Sequence, residues 1–411
     1  MHTPTLQASR KMKKTQVGDI PVDWEVCKLG RLVSIQSGGS PSLYALKSDG
    51  PYPFVKVEDL NNCLKYQAAS REYSDSAAEL IRIGSVIFPK RGAAISTNKV
   101  RLAARPLLMD SNMMAIFPDE GRLASEFLYY TILFQKLYRI ADTSTIPQIN
   151  NKHITPYAIA LPPLAEQKKI ATILGLCDQA VEKQEQRLAW QHQFKQGLLQ
   201  KMLMGKTRFK EFKVERWRTF RLGELLEEVD RYVTFDDNHT YKLASIRRRS
   251  EGLFFREALQ GKDIKTKVMK TIRAGDFLLS KMQVVHGAWG LVTPEFDGMF
   301  VSDSYISLVP RKGSALKTEF LNYLSQMRFM RHLAYICSHG VHIEKMTFNL
   351  EDFLHEKITI PLAVEEQMKI VGVLSACDRE IELLQKQLEA LKEQKRGLMQ
   401  KLLTGEVRVK V

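Results

Sequence analysis

Lys90 and Lys281 each close a run of the same pattern. Ile81-Arg82-Ile83-Gly84-Ser85-Val86-Ile87-Phe88-Pro89-Lys90 aligns with Ile272-Arg273-Ala274-Gly275-Asp276-Phe277-Leu278-Leu279-Ser280-Lys281. Each reads as a glycine turn, a short buried strand and a terminal lysine. An ammonium at the end of a strand can neutralise a phosphate or reach a base edge. Other candidates surround both. Arg91, Lys99, Arg101 and Arg105 follow Lys90, while Arg247, Arg248 and Arg249 follow the strand-like Tyr241-Lys242-Leu243-Ala244. Gln283, His286 and Trp289 trail Lys281 in a polar, aromatic loop. Arginine, lysine and glutamine suit phosphates and base edges, and tryptophan can stack on a base or wedge beside one. Any one of these is also an ordinary solvated group. Only Lys90 and Lys281 recur at equivalent places.

Covalent chemistry finds no such support. A DNA-methylating enzyme would carry an Asn/Asp-Pro-Pro-aromatic loop, but the one Pro-Pro, in Leu161-Pro162-Pro163-Leu164, has neither the amide nor the aromatic. Gly205-Lys206-Thr207 approaches a phosphate loop, yet Gln200 stands where the leading glycine belongs. Glu211-Phe212-Lys213 and Asp263-Ile264-Lys265 resemble half of a nuclease motif without the preceding Pro-Asp. His332, His339 and His342 lie near one another but lack carboxylate support, and the five cysteines form no Cys-x-x-Cys pair. The expectation is a chain with no catalytic residues, no metal site and no cofactor of its own.

What positions the lysines is a duplication. The stretches Leu161–Lys206 and Ile360–Glu406 match, without a gap from Glu166/Glu366 onward, at an offset of 200 residues. Identical pairs include Glu166/Glu366, Gln167/Gln367, Cys177/Cys377, Asp178/Asp378, Lys195/Lys395, Gln200/Gln400, Lys201/Lys401 and Gly205/Gly405. The second copy sets Ile370, Leu374, Cys377, Ile381, Leu384, Leu388, Leu391, Lys395, Leu398 and Leu402 at spacings of four and three, a heptad seam. The first keeps that register with Gln184, Gln191 and Lys195 as polar breaks. Prolines precede each stretch and glycines follow, as punctuation at helix ends should. A helix of about 35 residues spans on the order of 50 Å. Neither stripe can be buried alone, so the economical arrangement packs one helix against the other.

The duplication reaches further. Trp24 and Trp217 stand equally far ahead of Leu29 and Leu222, and Asp110-Ser111 echoes Asp303-Ser304. Ser125-Glu126-Phe127-Leu128-Tyr129-Tyr130 echoes Thr318-Glu319-Phe320-Leu321-Asn322-Tyr323, each opening an amphipathic helix expected to reach Ile140 and Ile336. Between these echoes the halves diverge almost completely. With short strands, few helices and no βαβα alternation, each half is expected to be α+β. The expected division is a loose, basic lead over 1–16, a first domain over 17–163, a helix over 164–206, a second domain over 207–360, and a helix with tail over 361–411.

Composition narrows the partner. Lys+Arg 61 against Asp+Glu 46 gives a formal net charge of +15, which favours a polyanion, nucleic acid ahead of a membrane surface. No apolar run approaches membrane-spanning length, and the basic start lacks the apolar stretch of a signal peptide. A cytoplasmic location without membrane contact is expected.

At this point the chain resembles the specificity subunits of type I restriction–modification systems, over essentially its full length. The resemblance rests on Gly18-Asp19-Ile20-Pro21-Val22-Asp23-Trp24, the repeated Pro-x-x-x-Glu-Gln-x-x-Ile, and the helix ends Gln200-Lys201-Leu203-Gly205 and Gln400-Lys401-Leu403-Gly405. It implies two target-recognition domains, each reading half of a split site in double-stranded DNA. It also implies two long antiparallel helices serving as coiled-coil spacer and dock for two methyltransferase subunits, with restriction subunits in the full complex. S-adenosylmethionine, ATP and Mg would then belong to the partner subunits. The twofold recurrence of Glu166, Gln167, Gln200, Lys201, Glu366, Gln367, Gln400 and Lys401 marks them as candidates for partner binding. Two departures stand out. Gln184 and Gln191 interrupt the first seam where the second has leucine, and Phe212-Lys213-Val214-Glu215-Arg216-Trp217 lacks the Gly and Pro of the first opening. Rival readings are a self-contained DNA-modifying enzyme and a stand-alone DNA-binding scaffold without methyltransferase partners.

Overall fold

A computed structural model describes residues 6–8, 11–343 and 346–409 of the chain. It forms two compact units, residues 1–185 with 386–411 and residues 186–385. The division falls inside both long helices, Leu164–Leu203 and Val364–Leu403, each of 40 residues. Every unit therefore holds one globular half, the N-terminal part of one long helix and the C-terminal part of the other. That differs from the division expected from sequence, which kept each helix whole.

In the first unit a five-stranded sheet runs in the order 33–37, 113–118, 86–89, 101–103, 66–67. Val86–Pro89 and Met113–Pro118 are two of its three inner strands, and alternation sorts their side chains onto opposite faces. Val86, Phe88, Met114 and Ile116 join the core that includes the helix Ser125–Gln135. Ile87, Met113 and Ala115 join a second core on the other face. Both faces are covered, which is why these strands read as continuous apolar runs. The second unit repeats the design: a sheet ordered 226–228, 305–310, 277–280, 289–291 puts Phe277, Leu279, Ile306 and Leu308 into one core and Leu278 into another. Gly84 and Gly275 precede the matching strands at φ +82° and +93°, the left-handed region where a side chain would be strained. Each unit also ties its opening to its exit. Glu25–Lys28 pairs with Ala158–Leu161, and Arg218–Arg221 with Lys357–Ile360.

The ends of the long helices are core elements as well as a seam. Ile170 and Leu174 meet Met399, Leu402 and Leu403 in the first core, while Ile370 and Leu374 meet Leu199, Met202 and Leu203 in the second. Pairing runs antiparallel within each unit, as Asp178 with Lys395 and Gln184 with Gln387 show in the first, and Gln191 with Glu380 and Lys195 with Asp378 in the second. The polar breaks are answered across the seam. Gln184 Nε2 donates to Gln387 Oε1 at 3.1 Å, and Gln191 Nε2 to Glu380 Oε2 at 2.9 Å. Gly205 and Gly405 follow the helices at φ +67° and +74°, the usual left-handed stop.

Two local expectations are corrected. The basic lead contains strands: Leu6–Ala8 pairs with Val407–Val409, and Met12–Thr15 with Gly18–Pro21; residues 1–5 and 9–10 lie outside the described part. The amphipathic helices are broken. The first stops at Gln135, where Lys136 turns to φ +65°, before Leu137–Ile140. Its counterpart divides into Thr318–Leu324 and Arg328–Ile336. No helix among the described residues is long and apolar enough to cross a membrane.

Candidate nucleic-acid interface

Three segments converge on each strand-end lysine in the same pattern in the two units, with the turn after the Asp-Ser echo shifted by one residue. The Lys90 N–H donates to the Asn112 carbonyl at 2.8 Å, and its carbonyl accepts from Ile149 N–H at 2.9 Å. The Lys281 N–H donates to the Ser304 carbonyl at 2.9 Å, and its carbonyl accepts from Phe348 N–H at 3.1 Å. The sequence echoes of the strand and of the Asp-Ser turn thus mark one spatial station. At Lys90 burial, and then the neighbouring charge of Arg91, hold the ammonium below the usual lysine range, with Asp110 opposing.

The other first-half candidates scatter. Arg91 is exposed at this station, its backbone bridged to Gln148. Lys99 is half-buried beyond the short helix Ala93–Ile95. Arg101 is committed elsewhere: its guanidinium donates to the carbonyls of Leu60, Cys63 and Val100 at 2.6–2.9 Å. A cation that pins a loop in this way is no free phosphate contact, so that expectation is corrected.

In the second unit the candidates gather. Arg247, Arg248 and Arg249 are exposed on the tight connection between Thr240–Ile246 and Leu253–Gln260. This connection docks on the loop after Lys281 through Arg249 N–H to the His286 carbonyl at 2.7 Å and Ser250 N–H to the Gly287 carbonyl at 2.8 Å. Gly287 permits the approach, because an added Cβ would lie 3.3 Å from Ser250 N. Arg247 also lies over the Phe254 ring at 4.8 Å. Gln283 and His286 are half-buried. Trp289 is the correction here. It is fully buried, 6.3 Å from the Phe277 ring centroid, and its Nε1 donates to Ser250 Oγ at 2.8 Å. It clamps the two loops together and has no face to offer a base.

The candidates for partner binding divide into two groups. Gln200, Lys201, Gln400 and Lys401 are exposed. Glu166, Gln167, Glu366 and Gln367 are at most 1% exposed, so in this fold they present nothing to a partner. Each glutamine fills a socket of backbone groups instead. Gln167 accepts from Ala124 N–H at 2.9 Å and donates to the carbonyls of Arg122 and Pro162. Gln367 accepts from Lys317 N–H at 2.9 Å and donates to the carbonyls of Ala315 and Pro361. Each glutamate grips an arginine in bidentate fashion: Glu166 takes Arg408 and Glu366 takes Arg208, every contact at 2.8 Å.

Sequence reading missed those arginines, although they continue the repeat at its own offset three residues beyond Gly205 and Gly405. It also missed what the paired Asp178 and Asp378 do. The Tyr130 hydroxyl donates to Asp178 at 2.5 Å, and Lys395 of the other helix lies 2.5 Å from the same carboxylate. Tyr323, Asp378 and Lys195 repeat the knot at 2.7 and 2.5 Å. Each knot ties a globular half to both helices.

The comparisons with known proteins agree with this duplicated design. A family model described as the type I restriction modification DNA specificity domain matches residues 21–189 and again 214–393. The chain is 26% identical over 434 aligned residues to the putative type I restriction enzyme MjaX specificity subunit of Methanocaldococcus jannaschii, covering 97% of each chain. It is 23% identical to the MjaVIII specificity subunit of the same organism, covering 95% of this chain and 94% of that one. Its fold matches the crystal structure of a type I restriction–modification S subunit from M. genitalium with a TM-score of 0.57 at 14% identity, covering 98% of this chain and 99% of the other. Since the model accounts for most of the chain in two successive copies, the chain belongs to the family of type I restriction–modification specificity subunits and carries their DNA specificity domain twice.

Proposed function

We propose that this chain recognises DNA on behalf of a type I restriction–modification complex, each unit reading one half of a bipartite, non-palindromic site. The observation that carries this reading is the strand-end lysine station, built from the same three segments around Lys90 and Lys281 although the surrounding sequences differ. A shared station suits a shared polyanionic ligand, and different surroundings suit different base sequences. The net charge of +15 points the same way. The exposed cations Arg91, Arg247, Arg248 and Arg249 extend the basic surface near the stations. Methyl transfer and cleavage then fall to two methyltransferase subunits and to restriction subunits, which would carry S-adenosylmethionine, ATP and Mg. The exposed pairs Gln200-Lys201 and Gln400-Lys401 are the part of the repeat still open to two identical partners.

Selection from random duplexes with the full-length chain, followed by affinity measurements across salt concentrations, tests the reading. A two-part motif is expected. Replacing Lys90 or Lys281 by glutamine should flatten the salt dependence by about one unit in slope. A chain that selects no motif, or variants with unchanged affinity and slope, would return both lysines to ordinary surface charge.

A further inference from the structure

The third segment at each station is a hairpin that sequence reading passed over. In the first unit Asp142 and Gln148 exchange two backbone hydrogen bonds, at 2.9 and 3.0 Å, and close a loop of five residues. Gln148 is bridged to Arg91 on its other side, and Gly92 N–H donates to the Pro147 carbonyl at 2.8 Å. Ser144 N–H donates to the Asp142 carboxylate at 3.0 Å. The tip is Thr143-Ser144-Thr145-Ile146, all exposed, with Ile146 70% exposed. In the second unit Ser338–His339 pairs with Thr347–Phe348 and hangs from Lys281 as the first hairpin hangs from Lys90. The turn that follows His339 again carries aliphatic side chains in water, Val341 at 94% and Ile343 at 48% exposure.

A single exposed aliphatic residue is ordinary. These differ in three ways. They occur at the same place in both units, each on a hairpin bonded to the lysine station. The first is a stiff, β-branched residue followed by proline on a loop held at both ends, so little freedom is lost when it meets a ligand. Cations stand beside it: Arg91 at the base and Lys152 just after it, both exposed. The first tip, apolar and flanked by cations, fits a DNA groove, where the cations meet phosphates and the aliphatic group meets a thymine methyl or an opened base step.

We propose that the hairpin 142–148 and the turn carrying Val341 after Ser338–His339 enter the DNA groove at the two half-sites, with Ile146 and Val341 making apolar contact with bases. This rests on the DNA-reading function above. Its test uses the full-length chain, alone and assembled with methyltransferase subunits, in the same duplex selection. Ile146→Ser should weaken binding to the selected duplex about ten-fold, the scale of one lost base contact. It should relax base preference in one half-site and leave the salt slope unchanged. Val341→Ser should do the same in the other half-site. Both tips are exposed, so the variants should fold normally, and unchanged hydrogen exchange of the core strands verifies that. If both variants keep full affinity and the original motif while Lys90→Gln still flattens the slope, the hairpin assignment falls and the DNA reading stands. Loss of methyltransferase assembly without loss of duplex affinity would also overturn it, by making the tips a protein contact. If the unaltered chain selects no motif, the DNA reading falls and takes this inference with it.

Discussion

The corner where a long helix begins is built twice, and the two versions are not equally complete. In the first unit Arg408 is held by two carboxylates, Glu166 and Asp23, and Trp24 Nε1 donates to Glu166 at 3.1 Å. In the second, Arg208 has Glu366 and the carbonyl of Glu215, while Trp217 Nε1 is buried with no partner among the described residues. The helix side of the corner recurs and the domain side has drifted. The glutamine sockets explain how drift is tolerated. Among the described residues, Gln167 and Gln367 bond only to backbone groups of the domain, at Ala124 and Arg122 and at Lys317 and Ala315. Backbone amides are present whatever the side chain, so the recognition half can change its sequence while the helix keeps its grip.

The most damaging way to break this comparison is Glu366→Ala. It strands the mostly buried Arg208 without a carboxylate, and the expected loss is about 3–5 kcal/mol. Glu166→Ala should cost less, about 2–3 kcal/mol, because Asp23 still answers Arg408. Hydrogen exchange read separately in each unit is the suitable measurement, since two units need not unfold together. Equal losses would mean that the stranded Trp24 indole N–H cancels what Asp23 preserves.

The sockets come next. Gln167→Leu and Gln367→Leu should each destabilise their own unit by about 2 kcal/mol, through the orphaned backbone groups. Any loss of methyltransferase binding should follow that loosening. A variant of full local stability that no longer binds a methyltransferase would restore the glutamines as direct contacts.

The tyrosine knots predict a pH dependence. Burial, and then the hydrogen bond to aspartate, raises the phenols of Tyr130 and Tyr323 above their ordinary value of 10.0. A raised folded-state pKa contributes stability that is fully present below about pH 10 and is lost as pH rises beyond it. Tyr130→Phe and Tyr323→Phe should each cost about 1.5 kcal/mol at neutral pH and abolish that part of the alkaline loss. Identical alkaline profiles in the unaltered and Phe chains would remove the knots from the account. The smallest effect is expected for Gln191→Leu, which copies Leu391. Glu380 is exposed and can turn to water, so the change should stay within about 1 kcal/mol.

These particulars show what sequence could reveal. The duplication, the two helices and the lysine stations were legible because repetition and periodicity survive without knowledge of contacts. The role of Glu166-Gln167 was not. A recurring polar pair suits a buried socket as well as a docking surface, and the choice depends on whether Arg122–Ala124 folds over it. Trp289 was misread for a related reason, since a tryptophan in a polar loop gives no sign that Ser250 will arrive from another loop to cover it. Arg408 and Arg208 could have been found by following the repeat a few residues past its glycines.

The way the units divide the chain has a consequence for biosynthesis. The second unit, residues 186–385, is continuous, and its whole core is available once that stretch has left the ribosome. The first unit needs Met399, Leu402 and Arg408 to complete its core and its corner. Its sheet can form early, but Glu166 waits for its arginine until residues 386–409 have been made. Domains generally mature in the order of synthesis; here the half translated first is the half completed last.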